Sequence, residues 1–146
     1  MIKKLYLAIA ILSICSVMIY SQRIPLQNQV ILDDISGSFL YPSKTKIWIP
    51  SKEQTSKAIS KIYEYIDKYD ESDLSKIIKA FDRYKVQFIG IYLDSKPIIY
   101  CNFLLENIDG WRKYFVQVMD GGFSFWKIEY WIESNECKGL YINGYA

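Results

Sequence analysis

Histidine is missing altogether from this chain of 146 residues, and that gap removes several chemistries together. The usual general base near neutral pH, the commonest metal ligand and every Ser-His or Cys-His nucleophile pair are excluded. Net charge is nearly missing too, with Lys plus Arg at 18 and Asp plus Glu at 16. Lys3 and Lys4 fall in a segment that reads as a leader, and without them the balance is 16 against 16. A neutral chain offers no footprint for nucleic acid and no polybasic patch for a membrane surface. No Gly-x-Ser-x-Gly elbow is present. The glycines of Asp120-Gly121-Gly122 fall between predicted strands, not at a helix N-terminus where they could cradle a phosphate. Asp33-Asp34 and Asp70-Glu71-Ser72-Asp73 lack the alternating oxygen ligands, turn glycine and distal glutamate of a calcium loop. They read as a solvated loop and an acid-rich helix start, so neither a metal nor another cofactor is expected. Ser72–Lys76 and Ser56–Lys57 are pairs that any exposed helix carries, and they nominate no nucleophile.

Long apolar runs are scarce as well. The one that exists covers residues 5–20, after a basic start at Lys3 and Lys4 and before a polar break at Ser21-Gln22-Arg23. Sixteen residues are short for a bilayer span, which takes about 20. Basic start, apolar middle and small-residue break make the pattern of a secretory signal. The segment resembles bacterial export signals ending in Tyr-Ser-Gln or Phe-Ser-Gln, which puts the mature start at Gln22 and the signal over 1–21. An uncleaved anchor would want a longer run and a basic stop. Leu12-Ser13-Ile14-Cys15 approximates a lipoprotein box, but bulky Ile14 stands where a small residue is wanted, so lipid anchoring through Cys15 is the minority alternative. The expectation is an exported protein, periplasmic or secreted, with no stable membrane insertion after cleavage.

Cysteine is equally sparse, at three residues. Loss of the leader leaves Cys101 and Cys137, which an oxidising compartment could pair. The strand order below sets them two strands apart, roughly 10 Å, whereas a disulfide needs Cα atoms within about 7 Å. That favours two separate thiols.

What is present is a core-forming composition: 51% apolar, 16% aromatic and 23% charged, enough for one domain and not two. Residues 22–50 show no periodicity and are punctuated by Pro25, Pro42, Pro50 and Ser36-Gly37-Ser38, an irregular N-terminal segment. Ser51-Lys52-Glu53-Gln54 fits a capping box. Ala58, Ile59, Ile62, Ile66 and Tyr69 then recur on one helical face, predicting a helix that ends near Tyr69-Asp70. Ser72 reads as the cap of a shorter helix with Leu74, Ile77, Ile78 and Phe81 inward. After Asp82 the period becomes 2, predicting strands over 84–93, 98–105, 113–119, 123–133 and 139–143. Asp120-Gly121-Gly122 would be the tight turn between the third and fourth, requiring positive φ. On the fourth, Trp126, Ile128, Tyr130 and Ile132 share one face, and Phe125, Lys127, Glu129 and Trp131 the other. The fold class expected is α+β over 51–146: helix plus short second helix on a four- to five-stranded antiparallel meander. That is the shape of cystatin-like and nuclear-transport-factor-like domains, an analogy of form alone.

Tyr84-Lys85-Val86-Gln87-Phe88-Ile89-Gly90-Ile91, Pro97-Ile98-Ile99-Tyr100-Cys101-Asn102 and Trp111-Arg112-Lys113 carry a resemblance, as do 118–126 around the Asp-Gly-Gly turn and the closing Asn143-Gly144-Tyr145-Ala146. Over the last 63 residues the chain resembles a group of small, uncharacterised exported bacterial proteins. Some of those carry cysteines flanking the turn, where Leu105 and Ser124 stand here, so that disulfide is absent. The resemblance implies an exported single domain and supplies no activity.

Two features remain as candidate sites. Glu129, Glu133 and Asp120 lie near one another in this reading, and paired carboxylates are the enzymatic route left without histidine; a solvent-facing strand side explains them as well. Thirteen Tyr, seven Phe and four Trp exceed what one helix–sheet interface buries. Phe125, Trp131 and Tyr141 fall on the sheet's other face and Trp111 at a strand start, and these four are the candidate binding surface, unless 22–50 cover it. The function expected is a non-catalytic binding or accessory module recognising a protein partner. A small-ligand pocket between helix and sheet and a carboxylate-based hydrolase are the alternatives.

Overall fold

The computed structural model describes residues 23–36, 38 and 45–145. The leader, the expected cleavage before Gln22, and Cys15 lie outside them. Helix α1 (Lys52–Ile66) begins with the predicted capping box. Gln54 N–H donates to Ser51 Oγ at 3.2 Å, and Ser51 N–H donates to Gln54 Oε1 at 2.8 Å. Two helix-end donors are thereby satisfied, and Thr55, Ala58, Ile59, Ile62 and Ile66 are buried. The helix stops at Ile66, so Tyr69 lies past it and is half exposed. Helix α2 (Ser72–Lys79) is capped at Glu71 rather than Ser72, with no side-chain cap. Asp73 in its first turn complements the helix dipole instead. Leu74 and Ile77 point into the core, followed by buried Phe81 in a 3-10 turn.

Among the described residues the sheet has six strands: β1 (Gln29–Ile31), β2 (Ile47–Trp48), β3 (Lys85–Leu93), β4 (Lys96–Leu104), β5 (Phe125–Trp131) and β6 (Glu136–Ile142). Its order is β1-β3-β4-β5-β6, with β2 also on β3. The fold is α+β, as expected, but the sheet is mixed rather than a pure antiparallel meander. β1 runs parallel to β3, with Gln29 opposite Val86 and Ile31 opposite Phe88. A parallel pair needs a long crossover, and the chain between β1 and β3 supplies it through β2 and both helices. The N-terminal segment thus closes one edge of β3, because β2 takes the remaining length at Gly90 and Ile91.

The second departure is the expected strand over 113–119. β4 pairs directly with β5, from Ile98–Trp131 to Leu104–Phe125, which leaves no edge for a strand between them. The alternating pattern of 113–119 instead serves a long loop, residues 105–121, laid over the sheet. Asp120-Gly121-Gly122 is accordingly no hairpin turn; it feeds a 3-10 turn over Gly122–Ser124. Positive φ is nevertheless required there, at 89° for Gly121 and 54° for Gly122. The closing hairpin is tighter than expected, with Asn135 at φ 54° and β6 starting at Glu136.

One face of the sheet carries both helices. Trp126, Ile128 and Tyr130 of β5 join Phe88, Cys101 and Phe103 and the buried residues of α1 and α2 in one core. Phe103 stacks on Trp126 at 3.7 Å between centroids, and Tyr84 meets both edge-on. Tyr84 donates its hydroxyl to the Phe123 carbonyl at 2.6 Å. Cys101 is buried, Cys137 is half-buried on β6 beyond the intervening β5, and both thiols are free. Among the described residues no helix is long and apolar enough to cross a membrane.

Candidate functional site

The sheet's other face is built around two polar residues in otherwise apolar strands. Gln87 of β3 and Asn102 of β4 stand opposite each other in register, and both are buried. A buried amide must find partners, and these two find them in the loop. Gln87 Nε2 donates to the carbonyls of Trp111 and Tyr114, and its Oε1 accepts from Val116 N–H at 3.0 Å. Asn102 Nδ2 donates to Gln87 Oε1 at 2.9 Å and to the Val116 carbonyl at 2.8 Å. Farther along, Asn143 Nδ2 donates to the carbonyls of Val118 and Asp120. Gly122 N–H donates to the Gly144 carbonyl at 3.0 Å. Three amide side chains therefore clasp the loop onto the sheet.

The clasp decides what becomes of the candidate aromatics. Trp111 and Phe125 are 8% and 6% exposed, packed with Leu104, Val116 and Val118 beneath the loop. Val30, Leu32, Ile35 and Ile47 from the N-terminal segment cover Ile89, Ile91 and Ile98. Trp131 is half-buried, and its Nε1 donates to Glu129 Oε2 at 3.0 Å. Tyr141 alone of the four is exposed. The expected open aromatic patch is not formed, because loop and N-terminal segment together bury most of it. Glu133 and Asp120 are exposed and Glu129 is half-buried.

A groove of about 510 Å³ remains between the loop and the β5–β6 surface. Phe115, Val116, Val118 and Met119 form its loop wall; Phe125, Lys127 and Glu129 rise from β5, and Gly139 and Tyr141 from β6. Of the three carboxylates considered from sequence, only Glu129 lines it. The Lys127 ammonium rests 4.6 Å from the centroid of the Tyr141 ring. Burial pushes the Lys127 pKa below its ordinary value. Among the described residues Lys127 makes no ion pair. The groove thus offers an apolar wall facing one cation and one anion, and no arrangement of acid and base across a cleft. No group of His, Cys, Asp or Glu that could hold a metal occurs among the described residues.

The helix–sheet interface itself is filled by the core. A shallower hollow of about 390 Å³ lies beside α1 and β6, lined by Lys61, Glu64, Lys68 and Cys137. Lys61 and Glu64 pair with each other there at 2.7 Å.

Neither a family model, a curated protein nor a solved structure matches this chain. Within the chain, the glycine turn and the closing Asn143-Gly144 meet, through the Asn143 and Gly144 contacts with 120–122. Leu105 N–H donates to the Ser124 carbonyl at 2.8 Å, so the two positions flanking the glycine turn are neighbours. Gln87, Asn102 and Asn143 were not singled out from sequence. Their signal was an amide inside Val86-Gln87-Phe88 and Cys101-Asn102-Phe103, where apolar neighbours mark a buried strand.

Proposed function

We propose that this chain is an exported, non-catalytic binding module of the bacterial envelope, with the groove beneath the 115–119 wall as its recognition site. The observation that carries the reading is the groove itself. Its volume of about 510 Å³ falls in the range of small-molecule sites, and its lining has their character, mostly apolar with few polar groups. Catalysis has less support: the chain has no histidine, and Glu133 and Asp120 are exposed, without the desolvation that tunes a general acid. A second reading, recognition of a protein partner, is favoured by Met119 at 81% exposure and Tyr141 at 52% on the groove's rim. A partner's apolar side chain would enter between them.

Fragment screening by amide NMR tests the site. Shifts confined to 115–119, Lys127, Glu129 and 139–141 are expected; shifts elsewhere, or none, would remove the groove as the site. Export is tested separately by the mass of the secreted or periplasmic protein, expected to begin at or near Gln22. An intact leader, or a diacylglyceryl group on Cys15, would overturn cleavage.

A further inference from the structure

Lys127 and Glu129 project from the same face of β5, two residues apart, with a register shift between them. Opposite charges at that spacing, about 6–7 Å along a strand, ordinarily reach each other. Here each is engaged elsewhere. Glu129 Oε2 takes the indole N–H of Trp131 at 3.0 Å, and Lys127 lies on the Tyr141 ring. Lys138, opposite Glu129 in register, pairs with Glu136 at 3.4 Å and covers the Trp131 ring. Gly139 brings no side chain against the Glu129 carboxyl. The outcome is a cation and an anion side by side in one groove, held apart, each with hydrogen-bonding capacity to spare: three donors on the ammonium and several lone pairs on the carboxylate.

Resting on the reading of the groove as the binding site, we propose that its ligand is a small zwitterion of the α-amino-acid type with an apolar side chain. The ligand's carboxylate meets Lys127, its ammonium meets Glu129, and its side chain lies on Phe115, Val116, Val118 and Met119. A ligand with one charge would gain from one of the two groups and be repelled by the other. A zwitterion satisfies both. In an α-amino acid, nitrogen and carboxyl carbon are about 2.5 Å apart. With a charged hydrogen bond of about 2.8 Å at each end, the reach is about 8 Å, against about 6–7 Å between the two positions along the strand. The desolvation that lowers the Lys127 pKa also strengthens its attraction for an anion.

Isothermal titration calorimetry with L-phenylalanine, 3-phenylpropanoate and 2-phenylethylamine tests this directly, because the three differ only in their charged ends. Phenylalanine should bind, and each one-charge analogue should bind about tenfold more weakly or worse. Lys127→Met should abolish the preference for phenylalanine over the amine, and Glu129→Gln the preference over the acid, in proteins that melt like the parent. Equal affinity for acid and zwitterion, or affinities that neither variant alters, would overturn the proposal. Failure of all three probes while other fragments still shift the groove amides would overturn it and leave the binding-site reading standing. Silence of the groove toward every fragment would sink both.

Discussion

Replacing Gln87 with leucine keeps most of the side-chain volume and deletes four hydrogen bonds in one step. Trp111 and Tyr114 lose a donor to their carbonyls, Val116 N–H loses its acceptor, and Asn102 loses one of two acceptors while keeping the Val116 carbonyl. An orphaned buried polar group costs about 1–3 kcal/mol. Tyr114 is exposed and Val116 half-buried, so water recovers part of that. The gross loss is then about 3–5 kcal/mol, offset by about 1 kcal/mol from burying an apolar side chain where the amide was. The net expectation is about 2–4 kcal/mol, a sizeable share of the 5–15 kcal/mol that holds a typical domain together. Urea denaturation followed by tryptophan emission reads the total. Hydrogen exchange reads the location: amides of 111–118 should lose protection well before those of α1, and fragment binding in the groove should weaken with them. The clasp argument fails if the variant unfolds within about 0.5 kcal/mol of the parent, the scale of an ordinary surface change, with the loop as protected as before. A double-mutant cycle with Asn102→Leu should show a coupling of about 0.5–3 kcal/mol.

Gly122→Val places a β-branched residue at φ 54°, with Cβ running into the Tyr145 ring; Tyr145 is exposed and can give way, so backbone strain dominates, and thermal melting should report about 1–3 kcal/mol. Leu105→Cys with Ser124→Cys should oxidise readily, since Leu105 N–H donates to the Ser124 carbonyl and facing antiparallel residues have Cα atoms about 4.5–5.5 Å apart; the closed 20-residue loop should add about 3 kcal/mol, and failure to crosslink would refute the contact. Above pH 9 the protein should lose stability: burial raises the Cys101 thiol well above its ordinary 9.0 and lifts Cys137 to about 12. The native state keeps a proton that the unfolded chain releases, so stability is whole below pH 9 and falls above it, by about 1.4 kcal/mol per pH unit for Cys101; Cys101→Ala should flatten the slope in pH-dependent denaturation. Ser51→Ala should cost about 1 kcal/mol by removing the α1 cap, measurable in the same denaturation series.

Elements whose residues decide their own conformation were legible from the sequence. Ser51 and Gln54 specify a helix start by local hydrogen bonds, and the alternation along β5 sorted its faces correctly. What was not legible depended on partners far away in the chain. Residues 113–119 alternate like a strand, yet whether they join the sheet is decided by Gln87 and Asn102 pulling them onto its face and by β4 pairing directly with β5. The parallel β1 is similarly invisible, because three residues of a strand carry no periodicity and their edge lies more than fifty positions downstream. The covering of the candidate aromatics is hidden for the same reason. Phe125 lies on the second face as its place in the β5 alternation predicts, and Trp111, expected at a strand start, joins it there, but the loop that buries both reads as part of the sheet.

The clasps also fix an order of events for a chain that lengthens from its N-terminus. Gln87 and Asn102 must wait for 111–116 to emerge, and the far end of that loop waits for Asn143 and Gly144. Helices and the β3–β4 hairpin can form on their own timetable, but the groove has no second wall until residue 144 is free. A growing chain therefore carries Leu104, Trp111 and Phe125 uncovered from the moment each emerges until the last residues follow.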